Sequence, residues 1–461
     1  MNPASLASAT RKVAWRIVPF LCLLYVFNIL DRSNVGFARL GMTKDLGLSE
    51  EVINWGIGLF YLGYLVFEVP SNLLLRRLGA RVWISRIMIS WGLVSMLTLA
   101  VTGPISFYWA RVMLGVAEAG FFPGVIFYLT AWFPASKRAR VIAWFMIASP
   151  LANVLGNPVS GVIMDHFHGD NGLAGWQWLF LLEGFPSVLL GILVLFVLPD
   201  SPRDARWLAE DEKKALEDQM LREDQQRLLT GGTEKLFDLL RDFRVWILVG
   251  LYFTVAVGTN ATGAYLPKLV KGHFEPMLLA QEKLVAEDAA NKPVATGRIG
   301  KIVAVWDKIG VLGKVGLLSA LPYLASVVAM LIASWLSDRW RMRAVVVALS
   351  LAIAGVGWII AWQAEDPWLA LVGLCLAQAG MMAVLPVFWA LPSMFLGGVA
   401  AAAGIALINS VANIGGIIAP TIVGWWGVAP MVGIMVYGVL MSLIAWIMVE
   451  KGAKAQRGGT D

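Results

Sequence analysis

Charged residues are scarce in this chain: Asp, Glu, Lys and Arg make up 15% of its 461 residues, whereas soluble domains carry roughly 25%. With 58% hydrophobic residues, the chain cannot cover a water-facing surface, so we expect lipid to be its solvent. Cysteine is also scarce, because only Cys22 and Cys375 are present and both lie in apolar runs. Two isolated cysteines exclude a disulfide scaffold and a zinc site, and we expect no metal and no cofactor.

Histidine is equally rare, and the three histidines all fall in predicted loops, at His166, His168 and His273. A histidine proton relay inside the membrane is therefore excluded. The net charge of +6 does not come from a basic domain, since the basic residues lie in short loops between apolar runs. We therefore expect no nucleic-acid partner.

Twelve apolar stretches are long enough to span a bilayer, which takes about 20 residues. They begin near residues 14, 52, 82, 105, 141, 177, 244, 316, 344, 367, 399 and 427. The first stretch exceeds the core of a signal peptide, so we expect it to remain as a span. Lys and Arg gather in alternate short loops, for example at Arg76, Arg77 and Arg81, which predicts that both termini are cytoplasmic.

The spans fall into two sets of six on either side of a polar stretch, and a basic turn recurs at the same place in each set, at 76–81 and 337–343. This repeat predicts an all-α membrane protein with twelve transmembrane helices in two halves. The predicted parts are an N-terminal half at 1–198, a cytoplasmic linker with a surface helix at 199–243, a C-terminal half at 244–450 and a cytoplasmic tail at 451–461. Transporters of this plan bind cargo between the halves near the midplane.

An insertion at 270–315 separates spans seven and eight on the outer side of the membrane. Apolar residues recur in it at helical spacing from Ile299 to Ile309, with charged residues between them. Two interpretations remain open: an amphipathic helix that lies on the outer membrane surface, or a soluble lid packed on the extracellular mouth.

Four ionisable residues lie at membrane depth, where charge is costly and indicates function: Asp31 and Arg32 in span one, and Arg111 and Glu118 in span four. Seven residues separate Arg111 from Glu118, so both lie on one helix face. We hypothesise that Asp31 and Glu118 carry protons and that Arg111 is a switching partner, mostly of Asp31. Arg32 would hold the cargo's carboxylate through paired donors. The alternative is a fixed charge network that ties span one to span four.

Neutral polar residues supply the other candidates for cargo binding. Tyr64 in span two has a hydroxyl that can donate to a carboxylate or sugar oxygen, although a packing role fits it equally well. In the second half the candidates are Trp389, Ser393, Asn409 and Asn413. The two asparagines are four residues apart on one face of span eleven, where they can bind cargo or bond between helices.

Several of these residues belong to motifs that resemble the anion:cation symporter family of the major facilitator superfamily. The motifs are Asp31-Arg32-Ser33-Asn34, the stretch 67–72 (Phe-Glu-Val-Pro-Ser-Asn), Arg111 with Gly115 and Glu118, and the stretch 175–184. Members of that family take up sugar acids, tartrate-like hydroxy acids, aromatic acids or inorganic anions with protons or sodium. The resemblance implies proton coupling at Asp31 and Glu118 and cargo binding at Arg32 and Tyr64.

Together these observations predict a monomeric, proton-coupled symporter that imports a small organic anion across a bacterial inner membrane, with sodium left open as the co-ion. A proton-coupled exporter of an amphiphilic or acidic compound is the alternative, because Gly156-Asn157-Pro158 loosely echoes a glycine-proline motif of antiporters. An enzyme is not expected, since the sequence has no nucleophile elbow, phosphate loop or histidine-acid cluster.

Overall fold

The computed structural model describes residues 3–229, 241–289, 309–394 and 398–451, and these residues are almost entirely helical. The helices are α1 (Pro3–Ser33), α2 (Val35–Asp45), α3 (Glu50–Leu78), α4 (Ala80–Leu97), α5 (Pro104–Glu118), α6 (Phe121–Trp132), α7 (Ala135–His166), α8 (Gly175–Val197), α9 (Glu210–Leu229), α10 (Phe243–Ala289), α11 (Val311–Trp340), α12 (Arg343–Gln363), α13 (Pro367–Phe388), α14 (Gly398–Trp426) and α15 (Ala429–Ala445).

Within the described residues, twelve segments are long and apolar enough to cross a membrane, which confirms the predicted number of spans. Spans one and four are each built from two helices, α1 with α2 and α5 with α6. Each of the other spans is formed by one α-helix, which a short 3-10 or π-helical turn extends in spans three and twelve. Helix α9 lies outside the spans. The all-α fold with two sets of six spans is therefore confirmed.

The two halves pack against each other through three pairs of helices, α7 with α11, α3 with α14 and α2 with α10. Glycine permits the close approach of two of these pairs. A side chain at Gly58 of α3 would meet the backbone of Ile417 in α14, and one at Gly161 of α7 would meet the backbone of Gly313 in α11. Small residues are the usual device for close helix contact in membranes.

The linker contributes α9, which lies where the surface helix was predicted and packs against α1. Ser5 donates a 2.7 Å hydrogen bond to Asp211, and Lys12 forms a 2.8 Å ion pair with Glu212. These contacts join the linker to the N-terminal half. Residues 230–240 of the linker lie outside the described part.

The insertion differs from the prediction at its start, because α10 does not end near residue 270 but continues to Ala289. Phe274 and Leu278, four residues apart, are both buried, and the Phe274 ring packs edge-on to Trp368 at 5.1 Å. The same helix face therefore stays covered beyond the predicted end of the span. The predicted amphipathic helix at 299–309 lies almost entirely outside the described residues, as does the tail beyond 451.

Span four breaks immediately after Glu118, at Ala119 and Gly120. Gly120 has a φ of 87°, a left-handed conformation that glycine adopts without strain. The break frees the carbonyl of Ala119, which accepts a 2.6 Å hydrogen bond from the hydroxyl of Ser71, and the Trp83 indole donates to the same hydroxyl at 2.9 Å. Broken spans are tolerated where neighbouring side chains satisfy the freed backbone groups. Glu118 is thus fixed at a helix end.

Candidate functional site

A central cavity of about 220 Å³ lies between the two halves. Both of its arginines come from the first half, and both halves contribute amide and phenolic side chains. Its principal polar residues are Arg32, Tyr64, Arg111, Asn260, Asn409 and Asn413. Four of the predicted cargo residues, Arg32, Tyr64, Asn409 and Asn413, therefore meet in one cavity.

Arg32 forms a buried ion pair with Glu118 at the wall of this cavity. Its Nε donates to Oε1 of Glu118 at 3.0 Å, and Nη2 reaches the same oxygen. The guanidinium also lies over the rings of Tyr64 and Phe60, with its central carbon 5.2 and 5.3 Å from the ring centroids. Glu118 is 1% exposed, so its charge is balanced by Arg32 rather than by water.

Arg111 also lines the cavity, but it is held differently. Its guanidinium lies 5.0 Å from the centroid of the Phe60 ring, and its Nε and Nη1 atoms are buried without a hydrogen-bond partner in the described structure. The hypothesis that Arg111 pairs mostly with Asp31 is not met in this conformation. Arg111 instead presents uncommitted donors beside the Arg32–Glu118 pair.

Asp31 points away from the cavity toward α4 and α8. Its carboxylate accepts hydrogen bonds from the Trp91 indole at 2.9 Å, from Ser95 at 2.8 Å and from Ser187 at 2.6 Å. Asp31 and Arg32 are neighbours on α1 but point to different sides of it, Asp31 toward α4 and α8 and Arg32 into the cavity wall. The four predicted charges therefore occupy two neighbouring sites rather than a single pocket.

The remaining second-half candidates differ in position. Trp389 does not appear in the cavity wall that the described residues form, but it packs edge-on to Tyr252, a wall residue, at 4.7 Å. It therefore supports the wall from behind. Ser393 belongs to a short 3-10 turn, Pro392–Met394, and its side chain lies outside the described part of the structure.

Polar contacts close the cavity toward the outer side of the membrane. Arg39 of α2 binds Glu50 and donates to the carbonyl of Ala264 in α10 at 3.3 Å. Glu50 in turn pairs with Lys268 of α10 at 2.9 Å, and the Tyr265 hydroxyl donates to Asn54 at 2.5 Å. These residues lie at the outer ends of their helices, so the structure shows a state that is closed to the outside.

Two features of the site were missed in the sequence. Asn260 in span seven lines the cavity and accepts a hydrogen bond from Tyr61 across the halves, but an isolated asparagine gives no periodic signal. Glu183 in span six is 4% exposed, and the rule that singled out Glu118 applies equally to it. Its position within a long apolar run was the available signal.

Comparison with known proteins gives the same helical fold and identifies the class of membrane protein. Residues 21–280 match the model of the Major Facilitator Superfamily. The chain is 42% identical to a provisionally named tartrate transporter of Agrobacterium vitis, over 91% of this chain and 85% of that one. It is 32% identical to a quinolone resistance transporter of Acinetobacter baumannii, over 96% and 95% of the two chains.

Among solved structures, the inward open xylose transporter XylE of E. coli superposes with a TM-score of 0.66 at 15% identity, covering 94% of this chain and 95% of that one. At this identity the likeness shows the fold alone. The family model and the sequence relatives also identify the family and show that its members are transporters. The chain is a multi-pass membrane transporter, not an enzyme, and it belongs to the Major Facilitator Superfamily.

Proposed function

We propose that this protein is a proton-coupled symporter that imports a small organic anion by alternating access. The observation that carries the proposal is the Arg32–Glu118 ion pair at the cavity wall. A carboxylate cargo and Glu118 need the same guanidinium. Protonation of Glu118 would release Arg32 for the cargo, and this competition couples proton binding to anion binding.

The cavity chemistry supports a carboxylate cargo with hydroxyl groups. Arg111 has buried donors without a partner, and a guanidinium matches the geometry of a carboxylate. Opposite it, Asn409 and Asn413 can donate to or accept from hydroxyl groups. A sugar acid or a hydroxy acid uses both sets of groups, whereas an aromatic carboxylate would use the tyrosines of the wall instead. The name of the Agrobacterium relative supports a tartrate-like hydroxy acid.

A buried carboxylate without its cation is unstable in its charged form. When cargo takes Arg32, Glu118 therefore has to keep its proton until the cargo leaves. Proton and anion then move in the same direction, which is symport. With the proton gradient of a bacterial inner membrane directed inward, the cycle runs as import, and a monomer suffices because one chain forms the whole cavity.

The direct test is uptake of radiolabelled tartrate, a sugar acid and benzoate into proteoliposomes that are more acidic outside than inside. We expect the acid gradient to drive accumulation of one hydroxylated acid. Glu118→Gln mimics the protonated residue, so it should still exchange labelled for unlabelled acid across the membrane but lose acceleration by the gradient. Gradient-driven accumulation by Glu118→Gln at the wild-type level would refute the proposed coupling.

Export is the second candidate, favoured by the likeness to a quinolone resistance transporter. The same proteoliposomes distinguish the two functions. An exporter would move an acidic drug against the proton flow and would not accumulate tartrate or a sugar acid under the imposed gradient. Two arginines in the cavity disfavour a cationic drug in either direction.

A further inference from the structure

A second group of buried polar side chains lies behind α1, on the side opposite the cavity. It contains two carboxyl groups, Asp31 of α1 and Glu183 of α8, which lie within electrostatic reach of each other. Ser187, one helical turn after Glu183, donates to Asp31 at 2.6 Å. The two acids are thus joined through one face of α8. The proposed function, which is argued from the Arg32–Glu118 pair, gives no role to Glu183.

The two carboxyl groups are held very differently. Asp31 accepts three hydrogen bonds from neutral donors, which is how proteins stabilise an ionised carboxylate. Oε1 of Glu183 accepts one, from Ser160 at 2.6 Å, and Oε2 is buried without a partner. A buried carboxyl group with so few donors and no cation is stable only when it carries a proton.

Asn34 is a second buried polar side chain at this site that lacks hydrogen-bond partners. It is 1% exposed, and neither its amide nitrogen nor its amide oxygen has a hydrogen-bond partner. The amide lies close to Glu183. An amide oxygen can accept the proton of a carboxylic acid and an amide nitrogen can donate to a carboxylate, so a small adjustment lets Asn34 bond Glu183 in either protonation state.

Charged side chains on the helices packed around Glu183 are engaged elsewhere. Arg32 points to Glu118, and Arg39 of α2 binds Glu50. Arg86 of α4 lies over the Trp83 ring. Asp165 of α7 accepts a hydrogen bond from the Gly313 amide, and Asp45 of α2 accepts one from the Trp176 indole. The side chains of Lys44 and His166 are exposed. Among the described residues, Asp31 is therefore the charged group that acts electrostatically on the Glu183 carboxyl group.

We propose that Asp31 and Glu183 form a second proton-binding site, in which Glu183 holds a proton in the outward-closed state while Asp31 is ionised. The site is separate from the Arg32–Glu118 pair but is joined to it through the adjacent positions of Asp31 and Arg32 on α1. A movement of α1 against α8 during the transport cycle would change the donors of Asp31 and with them the proton on Glu183. Glu183 is then a further proton-coupling residue, an assignment that rests on the proposed function.

Infrared spectroscopy of the purified protein tests the proton on Glu183 without any transport assay. We expect a band of a protonated carboxyl group at neutral pH that is absent in Glu183→Gln. The band should persist in the matched control Asp170→Asn, which neutralises an exposed acid at the outer turn before α8. Ser160→Ala, which removes the hydrogen bond to Oε1, should shift the band without abolishing it.

A spectrum of Glu183→Gln identical to that of the wild type would overturn the proposal. If that variant does not fold, an unmoved band in Ser160→Ala has the same meaning. Stabilisation of the wild type by sodium that disappears in Glu183→Gln would also overturn it, because the site would then bind a metal cation rather than a proton.

Transport separates this proposal from the proposed function. In Glu183→Gln we expect gradient-driven accumulation to be lost, while exchange without a gradient stays close to the wild-type rate. If the wild type itself shows no gradient-driven uptake, the proposed function fails, and the infrared result still decides the state of Glu183. If the wild type is coupled and Glu183→Gln is equally coupled, the role of Glu183 is refuted and the proposed function stands.

Discussion

The two halves of the molecule share a fold but differ in the charge they bury. In the described residues, the first half buries six ionisable side chains beside the partly exposed Arg32, namely Asp31, Arg39, Glu68, Arg111, Glu118 and Glu183. The second half buries Lys314, at the outer start of α11, and lines the cavity with neutral side chains, among them the amides Asn260, Asn409 and Asn413. Among the described residues outside the linker, the buried carboxyl groups therefore all lie in the first half.

The backbone shows the same asymmetry at equivalent positions of the repeat. Span four is broken after Glu118, whereas span ten, its counterpart, is the single helix α13 of 22 residues. A broken span needs side chains that satisfy freed backbone groups, and Ser71 does so here. The comparison teaches that the first half fixes a buried carboxyl group, Glu118, at a helix break, whereas the counterpart span of the second half continues as one helix.

The largest expected effect is on cargo uptake and comes from substitution of Arg32, the arginine at the wall of the cavity. Arg32→Lys keeps the positive charge but loses the paired donors that reach Glu118. Loss of a charged hydrogen bond costs about 1.5–3 kcal/mol, so we expect uptake of the cargo acid to fall roughly tenfold to a hundredfold. Initial uptake rates in proteoliposomes measure this change.

Arg339→Lys is the matched control, because Arg339 is an exposed arginine of the second half. It should transport like the wild type. Equal uptake by Arg32→Lys and Arg339→Lys would show that the cargo does not use the guanidinium of Arg32, and the charge asymmetry would then lose its functional meaning.

Ser71→Ala tests whether the broken span four depends on its side-chain support. The substitution leaves the Ala119 carbonyl and the Trp83 indole without their shared partner, and an unsatisfied buried group costs about 1–3 kcal/mol of unfolding free energy. We expect a lower thermal unfolding temperature of the detergent-purified protein. The control is Ser350→Ala in the second half, where the hydroxyl bonds back to a carbonyl of its own unbroken helix. Equal destabilisation by both variants would remove the special role of Ser71.

Asn413→Ala probes the neutral side of the cavity. One neutral hydrogen bond contributes about 0.5–1.5 kcal/mol, so the KM for a hydroxylated acid should rise about twofold to tenfold, with little change in kcat. Gln363→Ala removes an exposed amide at the outer end of α12 and should leave both constants unchanged. A change in the pH dependence of Asn413→Ala, rather than in KM, would mean that the second half takes part in coupling after all.

The twelve spans could be predicted because membrane crossing imposes length and apolarity on each helix, and basic loops fix their orientation. Depth and residue type made Arg32, Tyr64, Asn409 and Asn413 candidates for cargo binding, and a packing or interhelical role stayed open for the last three. The structure brings all four to one cavity. The direction of Asp31 did not, since it depends on which face of α1 packs on α8. Donors as far apart in sequence as Trp91 and Ser187 decide that orientation.

The continuation of α10 to Ala289 was missed for a related reason. Hydropathy shows where the chain becomes polar enough to leave the bilayer. It does not show where a helix ends, because a helix continues for as long as its backbone hydrogen bonds and side-chain contacts stabilise it. Phe274 is covered by Trp368, and Lys271 pairs with Glu275 one turn later at 3.5 Å. These contacts favour helix beyond residue 270. Tertiary contacts of this kind are not visible in a hydropathy pattern.

The smallest expected effect concerns the linker, which the structure joins to the charged half. The pKa of Glu212 is lowered to about 2, mainly by the hydrogen bond from the Lys12 ammonium and further by the Ser8 hydroxyl and the Ala209 amide. A lowered pKa means that the stabilisation is complete above the ordinary value of 4.5 and is lost as the pH falls from there toward 2.

Glu212→Gln should therefore lower the thermal unfolding temperature by a constant amount between pH 7 and 5, and the difference from the wild type should shrink below pH 4.5. Glu210→Gln is the control on the same helix, since Glu210 is almost fully exposed in its pair with Lys213, and exposed pairs contribute little. A difference that grows on acidification would contradict the sign of the Glu212 contribution. It would also mean that Glu212 does not help to hold α9, and with it the linker, against the half that carries the buried acids.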